Sequence, residues 1–140
     1  MLRYALLWHE CPPGYRDGPH YDLLVERPGA DGEHRLAAWS LLELPQPWAI
    51  ALGRAPAGAR EVAATALADH RAAYLDYEGP VSGGRGTVER VAGGRVEWLH
   101  EGEAQVRLRL SEPSRIAGEA VLSAGVGDRW RLTVSVDSIG

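Results

Sequence analysis

The stretch "AREVAATALADHRAAYL", residues Ala59 to Leu75, decides the fold. Its alanines favour helix by intrinsic propensity, because Ala loses no side-chain entropy on ordering. As a strand, however, Val62, Ala64, Ala66 and Ala68 fall together on one face. Periodicity alone leaves both readings open. A long helix from Ala59 to Leu75 would contradict an all-β chain, whereas a strand would complete one.

The flanking sequence points to strands. "AQVRLRL" alternates, with Val106, Leu108 and Leu110 on one face and Arg107 and Arg109 on the other. "WRLTVSV" repeats this with Trp130, Leu132, Val134 and Val136 against Arg131, Thr133 and Ser135. Further candidates are Arg3 to His9, His20 to Glu26, Arg35 to Leu42, Val88 to Val91, Arg95 to His100 and Ile116 to Leu122. Gly- and Pro-rich turns separate them: Pro12–Pro19, Arg27–His34, Gly53–Arg60, Glu78–Gly86, Ala92–Arg95 and Ser123–Arg129. Short strands at close spacing favour closure, which removes exposed edges. The expectation is one all-β domain over residues 1–140, an antiparallel β-barrel of about eight strands. Tyr21, Leu23, Val25, Trp39, Val106, Leu108, Leu132 and Val134 should face its apolar interior.

Composition narrows the function. The chain has 140 residues, enough to bury a core without disulfides. Net charge is −4, which lacks the basic bulk signal of a dedicated duplex binder. No apolar run reaches membrane-spanning length, so no membrane partner is expected. "MLRYALLWHE" does not read as a signal peptide. The single Cys excludes an internal disulfide and any multi-Cys zinc site, and a cytoplasmic location is the simplest expectation.

"HYDLLVE" carries the strongest chemical signal. As a strand it puts His20, Asp22, Leu24 and Glu26 on one face and Tyr21, Leu23 and Val25 on the other. An imidazole beside a carboxylate can hold a divalent metal if a third ligand arrives, and two His plus a carboxylate leave positions open for water and substrate. His9 closes the preceding strand candidate, and a hairpin would bring it to His20. The plainer alternative is a His–Asp hydrogen bond on the surface. Cys11, in a Pro-rich loop and beside no base in sequence, reads as structural. "SGGRG" lacks the spacing of a phosphate or dinucleotide loop and reads as a hairpin turn carrying Arg85. Taken alone, His70 reads as a cap or loop residue and Tyr74 and Tyr77 as half-buried aromatics. His34 and His100 read as surface residues.

Taken together, "LLWHE…HYDLLVE", "LAAWSLLELP" and "LADHRAAYLDYEGPVSGGRGTVER" resemble, in order and near spacing, the 3′-phosphoesterase domain of bacterial DNA ligase D. The match looks closest to its small stand-alone relatives and covers about Arg3 to Arg90. The resemblance implies a β-barrel with its active site on the outer surface, and "EVAATALADH" as a strand. It implies removal of a 3′-phosphate or 3′-terminal ribonucleoside from DNA ends, using manganese. His9, His20 and Asp22 then resemble the metal ligands, and His70 and Tyr74 the side chains that contact the scissile phosphate. Zinc is the alternative metal. Two positions depart from the family: Leu24 stands where an Arg belongs, and about Glu43 where a Lys belongs. Either Arg85 or Arg3 substitutes, or the activity is weakened or redirected. The alternatives are a non-catalytic metal-binding or DNA-repair accessory module, and a hydrolase acting on a phosphoester other than DNA.

Overall fold

The computed structural model describes residues 1–15, 18–111 and 115–136, with Val136 by its backbone alone. Arg16 and Asp17, part of the Pro12–Pro19 turn, lie outside them. The described residues form nine antiparallel strands, of which eight close into a ring. They are β1 (Arg3–Glu10), β2 (His20–Glu26), β3 (Leu36–Leu41), β4 (Glu61–His70), β5 (Gly79–Pro80), β6 (Thr87–Glu101), β7 (Gln105–Ser111), β8 (Gly118–Ala124) and β9 (Arg129–Val136). The sheet order is β1-β2-β3-β4-β9-β8-β7-β6-β5, and a further β1–β6 pairing closes the ring. The expected all-β architecture is therefore present.

The alanine-rich stretch is a strand from Glu61 to His70, followed by a short 3-10 turn at Ala72–Leu75. Its small residues have a packing role. Ala66 stands opposite Trp39 on β3, and Ala64 opposite Trp130 on β9. The two indoles meet edge-on at 5.8 Å, in space that larger residues on β4 would crowd. Tertiary packing here overrides helix propensity.

All eight residues expected inside lie in the interior core. Trp48 and Ala49 join them from α1 (Gln46–Leu52), a short helix that periodicity does not indicate. Its sequence, "QPWAIAL", is too short to show a helical repeat. The Ala92–Arg95 turn expected from "AGGR" is not formed. Those residues continue β6, which pairs with β1 along one edge and β7 along the other. The register shift between Leu6 and Leu7 leaves Val91 as the bulged residue, while Gly93 and Gly94 pair in register with Ala5 and Tyr4, so the strand continues without a reversal.

A second apolar cluster lies on the outer face of the sheet. Ala5, Leu7, Leu24, Leu36, Ala38, Leu75, Val81 and Val88 form it. The 3-10 turn supplies Leu75, and the hairpin between β5 and β6 supplies Val81 and Val88 as cover. This is why β1 and β2 are apolar on both faces, where a one-sided strand would alternate. The rim of this outer cluster carries the polar side chains described next.

Candidate metal centre

β1 and β2 form the hairpin expected from the sequence, with His9 directly opposite His20 and Leu7 opposite Asp22. Paired residues share a face, so His9, His20 and Asp22 converge on the outer side. All three are buried, Asp22 at 5% exposure. His20 Nε2 lies 3.2 Å from Asp22 Oδ1, and His9 Nδ1 lies 3.6 Å from Asp22 Oδ2.

The other nitrogen of each ring is already committed. His20 Nδ1 donates to the Gly18 carbonyl at 2.8 Å, and His9 Nε2 donates to the Arg85 carbonyl at 2.7 Å. A carbonyl can only accept, so each of these nitrogens carries the proton. In the neutral rings, Nδ1 of His9 and Nε2 of His20 then present lone pairs to a carboxylate, which also only accepts. Acceptors facing acceptors require a cation between them, either an extra proton or a metal ion. Two metal bonds of about 2.0–2.2 Å place adjacent donors roughly 3.0–3.5 Å apart, close to both observed contacts. The carbonyl partners also fix tautomer and ring orientation, as is usual around ligating His.

Asp22 reports the same imbalance. Burial pushes its carboxyl up. Hydrogen bonding to His20 and then His9, with the charges of His20 and His70, outweighs burial and lowers it from 3.8 to about 2. That pull needs a proton on the ring nitrogens facing Asp22. With the rings neutral, Oδ1 is buried without a hydrogen-bond partner among the described residues.

The hairpin that supplies the Arg85 carbonyl is held by Gly86. Its φ is +92°, and a Cβ there would meet the Glu10 carbonyl oxygen at 1.9 Å. Only glycine allows this close approach of the turn to the end of β1. The expectation of a turn at "SGGRG" is thus met, and the turn's backbone also orients a candidate ligand.

His9, His20, Asp22, His70, Tyr74 and Arg85 line one cleft. His70 Nδ1 donates to the Ala68 carbonyl at 2.8 Å, and its ring meets Tyr74 edge-on at 6.3 Å. The Arg85 guanidinium bonds to the Ser82 carbonyl at 2.7 Å and to Ser82 Oγ at 3.0 Å, both uncharged acceptors. Leu7, Val81 and Val88 form dry walls, and Tyr15 adds an aromatic edge 6.0 Å from the His9 ring.

Other expectations need correction. Arg3 does not reach the cleft, because Asp76 binds its guanidinium at 2.5 and 3.1 Å. Glu43 is exposed, lies against Gly58, and does not line the cleft. Leu24 is fully buried in the outer apolar cluster. His34 and His100 are exposed, as expected. The structural role expected of Cys11 is incomplete, because its Sγ lies 3.7 Å from His20 Nδ1. One donor atom each from His9, Cys11 and His20 lie within 4.8 Å of one another, so this trio could also hold a metal ion. Sequence order concealed it, because Cys11 follows the strand that carries His9 and only the hairpin returns His20 to it. Tyr15, in the same loop, was missed for the same reason. No protein-family model and no curated protein matches the chain.

Proposed function

We propose that this protein is a metal-dependent phosphoesterase whose substrate is a 3′-phosphate or 3′-terminal ribonucleoside at a DNA end. One observation carries the reading: two carbonyl-oriented imidazoles and a buried carboxylate turn acceptors toward one another in a cleft that also holds His70 and Arg85. His9, His20 and Asp22 would hold the ion, with manganese first because the site mixes imidazole with carboxylate, and zinc as the alternative. Such an ion would polarise a phosphoryl oxygen and acidify bound water.

The chain's own side chains supply the remainder. His70 has Nδ1 committed to Ala68, which leaves Nε2 to give or take a proton at the phosphate. Tyr74 fixes the His70 ring edge and orients the phosphate. Arg85 supplies the planar cation that Leu24 cannot, and its present acceptors on Ser82 are neutral and exchangeable. The apolar walls exclude water and strengthen each of these interactions.

The test is release of phosphate from primer–template DNA bearing a 3′-phosphate, with manganese. Wild type should turn over, and Asp22→Ala and His70→Ala should be inactive. Arg85→Ala should lose roughly 100- to 1,000-fold in kcat, the usual cost of removing one electrostatic donor. Leu24 at the position of a family Arg favours a second reading, a metal-binding accessory module. Wild-type protein that holds manganese and binds DNA ends without turnover would establish that reading. Turnover of small phosphoesters but not DNA would redirect the substrate.

A further inference from the structure

We propose that Cys11 is a metal ligand: with His9 and His20 it captures a thiophilic divalent ion of the zinc class, in competition with the harder ion favoured by Asp22. The inference rests on the metal-centre reading above but not on phosphoester chemistry.

The distances support a sulfur ligand. Zinc bonds of about 2.3 Å to sulfur and 2.0–2.1 Å to nitrogen, at a tetrahedral angle, set the two donors roughly 3.6 Å apart. Cys11 Sγ and His20 Nδ1 are 3.7 Å apart. A donor atom of His9 completes the set within 4.8 Å. A second observation points independently to a cation at the shared His20 ring, on its Nε2 edge. With the rings neutral, Asp22 Oδ1, on a residue 5% exposed, has no hydrogen-bond partner among the described residues and faces His20 Nε2 at 3.2 Å.

The two donor sets draw on opposite edges of the His20 ring. The carboxylate set uses Nε2 and leaves Nδ1 bonded to Gly18. The thiolate set uses Nδ1, so His20 must exchange the Gly18 carbonyl for the ion. Binding forms one sulfur–metal and two nitrogen–metal bonds, releases the thiol proton to solvent, and shifts the His20 ring proton from Nδ1 to Nε2, where Asp22 accepts it, with no change in oxidation state. Softness then sorts the ions, since thiolate selects zinc-like metals and carboxylate suits manganese. A single pair of histidines would thereby report which metal is available.

Cobalt(II) is the probe, used with the full chain. Wild type should develop a near-ultraviolet thiolate-to-cobalt charge-transfer band that saturates at one equivalent. The chain has a single Cys, so this band alone assigns the sulfur, whether or not variants fold. Asp22→Asn should keep the band and Cys11→Ser should lose it. Competition with a chromophoric chelator should show Cys11→Ser binding zinc roughly 100-fold more weakly, with manganese affinity unchanged. Visible d–d absorption without the charge-transfer band would overturn the role of Cys11 and leave the Asp22 centre standing. Failure of wild type to bind cobalt at all would overturn both.

Discussion

Asp22 is the residue on which the centre turns. It is the sole carboxylate of its set, so Asp22→Ala should abolish manganese binding measured by electron paramagnetic resonance, while comparable affinity in the two proteins would remove it from the site. Its carboxyl also links stability to pH in the metal-free protein. The folded-state value is lowered from 3.8 to about 2. A depressed carboxyl stabilises the fold fully above the unfolded value, and this is lost as pH falls through the folded one. The shift corresponds to about 2 kcal/mol. Metal-free wild type should therefore lose its advantage over Asp22→Asn between about pH 4 and pH 2. A stability difference that stays constant over that window, by urea unfolding, would mean that His20 and His9 do not hold the carboxylate. His9, His20 and Asp22 were legible in the sequence because strand alternation and one hairpin place them together. Cys11 was not, since its proximity to His20 depends on the path of the intervening loop.

At the scale of elements, β4 and the β5–β6 hairpin make separate predictions. β4 was ambiguous because alanine serves two ends: it favours helix, and it is also small enough to face Trp39 and Trp130. Its strand geometry predicts opposite effects at neighbouring positions. Ala63 is exposed, and Ala64 is buried beside Trp130. Ala63→Val should be neutral or stabilising by up to about 1 kcal/mol, since β-branching suits a strand. Ala64→Val should cost about 1–3 kcal/mol by overpacking. Equal destabilisation by both, measured by thermal unfolding, would indicate helix at this position. The hairpin depends on Gly86. Gly86→Ala must move the turn away from Glu10, and with it the Arg85 carbonyl that orients His9. Metal affinity should fall by roughly 10- to 100-fold, as for other groups that orient a ligand. Unchanged affinity in a folded variant would show that His9 needs no such support. The glycines of "AGGR" suggest a turn for a related reason: the same residue type that opens a turn can also pair in register inside a strand, as Gly93 and Gly94 do with Ala5 and Tyr4.

Across the whole molecule, the ring has two apolar faces at β1 and β2, and this changes how Leu24 is understood. Compared with the Arg of the domain that the sequence resembles, it looks like a lost phosphate contact. Packed with Leu7, Leu36, Leu75 and Val81, it is part of the platform on which the cleft rests. Leu24→Arg would bury an unpaired charge at a cost of roughly 3–5 kcal/mol, so it should unfold the site and not restore activity. That platform also determines how metal should act on the fold. His9 lies next to the end of β1, His20 and Asp22 lie at the start of β2, and the Arg85 carbonyl belongs to the hairpin leading into β6. An ion among them ties these segments together, while β7 and β8 lie on another part of the ring. At 100 times its dissociation constant, an ion that binds only the folded state adds about 2.7 kcal/mol. Amide exchange governed by local opening should slow at His9, His20–Asp22 and residues 82–88 when manganese is added. Local opening in β7 and β8 should be slowed far less, because such openings do not release the ion. Uniform slowing throughout the ring would show instead that the segments around the ion open only when the whole sheet does.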